Sequence, residues 1–126
     1  MGDNSNMKPV VEWKEQGKRP QLKFTFGKSL KAHHAEAAID EWKEAFAQVP
    51  NQKVILIWDA TEMAAYESEA RKLWQKALKE MEDRIESIWL ITPSNVIRMG
   101  ATVMSILTSL EIKAVRHEDQ IVIKED

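Results

Sequence analysis

Asp59 and Glu62 stand three residues apart, just past the apolar run Val54-Ile55-Leu56-Ile57-Trp58. Two carboxylates past the C-terminal end of a buried strand lie on the edge where open α/β sheets take ligands, and a pair there could move protons. The sequence gives them no companions. It offers no nucleophile beside a base and no histidine placed to work with them. Asp59 therefore reads as a loop cap and Glu62 as a surface charge. His33 and His34 are adjacent, so on a helix they point about 100° apart and cannot share a metal as an i,i+4 pair would. His117 is remote from both. The chain has no cysteine, which removes disulfides, thiolate zinc sites and cysteine nucleophiles together. Its four glycines form neither a GxGxxG turn nor a P-loop. The expectation is a protein that is not an enzyme, with no catalytic residues, no metal and no cofactor.

The chain of 126 residues suits one domain, and that length buries a core without disulfides or metals. A net charge of −2 supplies no positive field to draw in nucleic acid. The polar start Met1-Gly2-Asp3-Asn4 has no apolar stretch of the signal-peptide kind, and Met99–Leu110 is too short to span a bilayer. Residues 1–8 read as a disordered tail and 9–126 as a single domain. A cytoplasmic location is expected, with room for peripheral contact at the inner membrane face.

The elements follow from periodicity. Val10–Glu15 and the alternating run Leu22, Phe24, Phe26 read as an opening hairpin around the turn Gly17-Lys18-Arg19-Pro20. Residues 34–48 form a helix, with Ala35, Ala38, Ile39, Trp42, Ala45, Phe46 and Val49 on one face. Val54–Trp58 is a buried strand. A second helix covers 67–84, with Ala70, Leu73, Trp74, Ala77, Leu78 and Met81 inward. Ile88–Ile91 is a second buried strand, stopped by Thr92-Pro93. A third helix runs from Asn95 to about Leu110. Ile112–Arg116 closes the chain as a strand, extended by Ile121–Ile123. The order β-β-α-β-α-β-α-β implies right-handed crossovers and a largely parallel sheet with an antiparallel edge.

This order, with one local pattern, resembles the STAS or SpoIIAA-like domains, named for anti-sigma-factor antagonists. Here Val54–Trp58 ends in Asp59, and a loop leads to Glu67-Ser68-Glu69-Ala70 at a helix start. In the family an apolar strand ends in Asp, and a similar loop leads to Asp-Ser-Ser-Gly. The first of those serines is phosphorylated in the sporulation regulators. The resemblance implies a SpoIIAA-like fold and makes Ser68 the candidate regulatory residue, with a protein partner docking through the helix that starts there. Glu67 and Glu69 would repel a phosphate, so Ser68 is expected to be a poor kinase substrate. The same broad architecture is similar to CRAL-TRIO lipid carriers, which use an apolar pocket beneath a mobile helix.

Two ligand expectations go with this. Trp58, Met63, Tyr66, Trp74, Trp89, Met99, Val103 and Met104 could line a pocket for an apolar small molecule or lipid, since Trp and Met leave irregular apolar walls. Arg71, Lys72, Lys76 and Lys79 crowd one side of the second helix and could rest on a membrane surface. The third helix is apolar over half its circumference and carries one charge, Arg98. Gly100 weakens it by about 1 kcal/mol relative to Ala. It is therefore expected to lift from the body toward a membrane, or to exchange with a second copy in a homodimer.

Overall fold

The structure is a computed structural model that describes residues 8–14 and 19–123. The expected disordered tail lies outside the described residues, except Lys8, which pairs with Glu41. Gly17 and Lys18 of the expected turn also lie outside them.

Five strands make one sheet in the order β1-β2-β4-β6-β7. β1 (Val10–Lys14) runs antiparallel to β2 (Gln21–Thr25). β4 (Val54–Asp59), β6 (Ile85–Ile91) and β7 (Ile112–Val115) continue from β2 in parallel. The expected mixed sheet with an antiparallel edge is the observed one. A two-residue parallel pair, β3 (Ser29–Leu30) with β5 (Ala65–Tyr66), forms separately. The helices are α1 (Ala32–Gln48), α2 (Ser68–Met81) and α3 (Asn95–Ile106).

From β2 onward, sequence order across the sheet equals sequence order along the chain. Crossovers of one hand then place every helix on the same face. The core shows this directly. Phe24, Leu56, Trp58, Ile88 and Leu90 from alternate strand positions join Ala38 and Trp42 of α1, Trp74 and Leu78 of α2, and Ile97 and Ala101 of α3 in one cluster. Trp74 is its hub, with ring centroids 5.6 Å from Phe24, 5.4 Å from Phe26, 5.3 Å from Trp42 and 6.1 Å from Trp58.

The other face buries Ile55, Ile57, Trp89 and Ile91. No helix covers it. The segment after β7 lies there instead, with Ile121 and Ile123 sharing a groove with Ile57 and Gln21. Glu118 fastens this segment by accepting hydrogen bonds from Lys14 and Lys23, each at 3.0 Å. The Lys14 and Lys23 ammonium groups hold the Glu118 carboxyl below its ordinary value. Ile121–Ile123 is therefore not the expected strand extension. A short 3-10 turn, Glu118–Gln120, bends it across the sheet.

Arg84 ties α1 to the start of β6. Its Nη2 donates to the carbonyls of Phe46 (3.2 Å) and Val49 (2.5 Å), and its Nε donates to that of Gln52 (3.0 Å). α3 stops at Ile106, short of the expected Leu110. The Ser109 N–H and hydroxyl both donate to Glu82, and the Leu110 N–H donates to the Thr108 hydroxyl. Ser and Thr offer the backbone partners that compete with the helical ladder. Lys79 and the Ser109 N–H hold the Glu82 carboxyl down to about 2.

Candidate functional site

The C-terminal ends of the parallel strands converge under α3. Phe26 follows β2, Trp58 lies near the end of β4 and Ala60 follows it, and Leu90 lies near the end of β6. Together with Leu30 and Tyr66 of the β3–β5 pair, they floor an apolar cavity of about 50 Å³. α2 contributes Arg71 and Trp74, and α3 contributes Ile97, Gly100, Ala101 and Met104. The Trp58 indole N–H is buried here without a hydrogen-bond partner. A buried donor left unpaired is costly, so this is the cavity wall's one unmet polar demand among the described residues.

Five of the expected pocket residues line this cavity: Trp58, Met63, Tyr66, Trp74 and Met104. Three do not. Trp89 precedes Leu90, and side chains alternate along a strand. Its ring therefore lies on the other face of the sheet, beneath the Lys113 ammonium at 5.1 Å. Met99 and Val103 point to solvent, at 68% and 49% exposure, because α3 docks along its Ile97–Ala101 edge. Arg71, expected on a membrane-facing basic side, is half-buried at the cavity and reaches Gln75. Lys72, Lys76 and Lys79 are exposed, with Lys79 paired to Glu82 at 2.8 Å. Sequence reading missed Phe26, Ala60 and Leu90. The placement of ligand sites at the C-terminal ends of parallel strands was the available signal for them. The cavity is far smaller than the roughly 300–1,000 Å³ of a typical small-molecule pocket, so no acyl chain fits it in this conformation.

Gly100 has a role opposite to the expected one. A Cβ there would stand 2.4 Å from the Tyr66 hydroxyl and 3.2 Å from Cζ. The missing side chain seats the phenol against α3 and so helps the helix dock. Gly100→Ala gains about 1 kcal/mol of helix propensity, but overpacking costs roughly 1–3 kcal/mol. The expected outcome is a net loss of stability in urea denaturation. In a Tyr66→Phe background, where the closest contact is gone, the same Gly100→Ala change should become neutral or stabilising. Equal effects in both backgrounds would show that the phenol does not occupy this seat.

Asp59 closes its own turn. It accepts from the Thr61 N–H (3.1 Å) and Thr61 hydroxyl (2.5 Å), with Lys23 at 3.8 Å. Glu62 is exposed. His33 and His34 stack with centroids 4.0 Å apart at the start of α1. Burial, followed by His33 and Lys31, keeps the His34 imidazole below its ordinary value. No group of three or more potential metal-ligating residues gathers among the described residues.

Ser68 is exposed at the first residue of α2. Glu67 before it does not cap the helix with its side chain. Its carboxylate accepts from the Ala32 N–H at 2.7 Å and so joins the starts of α1 and α2.

No family model matches the chain, and no curated protein matches it. Solved structures do. One is an uncharacterised protein of the DUF3478 family with a SpoIIAA-like fold from Shewanella loihica PV-4. It is 16% identical with a TM-score of 0.76, covering 94% of this chain and 95% of that one. Another is the anti-sigma factor antagonist SpoIIAA in its unphosphorylated form. It is 15% identical with a TM-score of 0.63, covering 88% of this chain and 92% of that one. The chain has the SpoIIAA-like fold, as its element order implied. Among the described residues no helix is long and apolar enough to cross a membrane.

Proposed function

We propose that the chain is a non-enzymatic protein-interaction module of the anti-sigma-factor-antagonist type, docking its partner at the start of α2. The observation that supports this is Ser68, exposed at the first turn of α2 on a SpoIIAA-like fold. The helix N-terminus there offers free backbone donors to a partner. Glu67 and Glu69 make the surface acidic, which suits a basic partner patch and disfavours an added phosphate. Docking would then be controlled by partner availability, with Ser68 left unmodified.

The test mixes the purified protein with anti-sigma-type kinases from the same genome, with and without ATP. A one-to-one complex is expected by size exclusion, with affinity reduced at least tenfold by Ser68→Arg and no phosphate on Ser68 by mass spectrometry. Stoichiometric phosphate on Ser68 would restore a phosphoswitch. Turnover in a broad hydrolase and isomerase screen, lost in Asp59→Asn, would replace the reading with an enzyme. A second reading, a small apolar ligand, draws on the unpaired Trp58 N–H in the cavity. A ligand with one acceptor on a small apolar body would satisfy it. Native mass spectrometry of the chain as purified reports such a ligand directly.

A further inference from the structure

α3 leaves an apolar stripe uncovered. Val96, Met99, Val103, Ile106 and Leu107 are 49–74% exposed, while Ile97 and Ala101 alone on the helix are fully buried. The stripe spans about 100° of the helix, beside the docked edge. Its main positions, 96, 99, 103 and 106, follow the 3-4-3 spacing of a helix-pairing seam. That spacing is the same read backwards. When a second α3 lies antiparallel across it, Val96 falls opposite Ile106 and Met99 opposite Val103.

We propose that α3 pairs with α3 of a second copy of this chain, antiparallel about a two-fold axis that crosses the stripe midway between Met99 and Val103. Three observations select this occupant. First, an isologous contact must be self-complementary, and this stripe has no charge to meet its own image. The neighbours on its polar edge are Asn95 and Thr102. The helix's one charge, Arg98, lies outside the stripe and is held by donating to Asn95 at 2.8 Å. Second, α3 carries no Lys or Arg beyond Arg98, so it lacks the basic flank that draws an interfacial helix to anionic lipid. Third, pairing covers the stripe on both copies, about 1,000 Å² in total, near the lower bound for a specific interface. Antiparallel packing also sets the helix dipoles head to tail. The dimer is thus weak and concentration-dependent.

The test uses the full chain. Sedimentation velocity across a concentration series should show a monomer–dimer equilibrium. Val103→Asp would bury a carboxylate from each copy at the seam and should weaken the dimer by roughly 100-fold or more. Val103→Thr, nearly isosteric, should weaken it less, and both variants should keep the parent's circular dichroism. Orientation is read by disulfide trapping, because the chain has no cysteine of its own. Val96→Cys mixed with Ile106→Cys should cross-link as a mixed pair, while Val96→Cys alone should not. In a parallel pair Val96 would meet itself, some 15 Å from Ile106, beyond disulfide reach. A strict monomer at all concentrations overturns the proposal. So does a monomer that floats with anionic liposomes and loses them on Val103→Asp, which would assign the stripe to a membrane. Self-linking of Val96→Cys overturns the antiparallel arrangement. Ser68 docking is read separately, by kinase binding and its loss in Ser68→Arg.

Discussion

Replacing Trp74 with alanine is expected to remove about 3–5 kcal/mol of stability, the cost of deleting a large buried aromatic side chain. A domain of this size has only about 5–15 kcal/mol in total, so the variant should sit near its unfolding midpoint under mild conditions. The reason is position. Trp74 is 3% exposed and touches four other rings, two from strands β2 and its extension, one from α1 and one from β4. Three of these contacts, with Phe24, Phe26 and Trp58, are edge-to-face, and such pairs add roughly 0.5–1.5 kcal/mol each beyond area burial. Deleting the indole also opens the floor of the cavity under α3. Trp74→Phe keeps an aromatic ring at the hub and should recover more than half the loss. Urea denaturation followed by far-UV circular dichroism measures both variants. A loss under about 1 kcal/mol for Trp74→Ala would mean that the hub collapses around the gap and that the cluster is not the mechanical centre of the fold.

Arg84→Ala is expected to cost about 2–3 kcal/mol, a large effect for a residue that is only half-buried. α-Helices end with unsatisfied carbonyls. The Arg84 guanidinium meets two carbonyls at the end of α1, those of Phe46 and Val49, and that of Gln52 in the following turn. It also lies 5.3 Å from the centre of the Phe46 ring. Charged donors make the stronger hydrogen bonds, and the fork geometry lets one side chain serve three acceptors. Lysine presents a point charge without that fork, so Arg84→Lys should recover less than half. Hydrogen exchange should rise at the last turn of α1 and at the Asn51 turn, whose positive φ of 79° is a conformation Asn tolerates. If Arg84→Ala and Arg84→Lys both match the parent within about 0.5 kcal/mol, the clamp is a surface contact of little consequence.

The sequence alone settled the class of fold and most of the core. The alternation of Leu22 and Phe24 and the helical spacing of Ala35, Ala38, Trp42 and Phe46 each point to one element type, the short length of the apolar run at Val54–Trp58 makes it a strand, and element order then restricts topology. Ser68 at a helix start and Asp59 as a loop cap were legible too, because both follow from local chemistry.

What the sequence could not decide is which part of an apolar surface is covered. β4 is apolar from Val54 to Trp58 and β6 from Ile88 to Ile91, so alternation leaves no polar face over those runs to orient them. Only the pairing of Trp58 with Leu90 and Ile57 with Trp89 sends one tryptophan to the cavity and the other to the opposite face. α3 is apolar over half its circumference, and periodicity shows only that these residues are neighbours. Tertiary packing chose the Ile97–Ala101 edge for the core, seated Tyr66 on Gly100, and left Val96, Met99, Val103 and Ile106 outside. A helix can press only one edge against a single sheet face, so a stripe wider than that edge must stay exposed or find another surface.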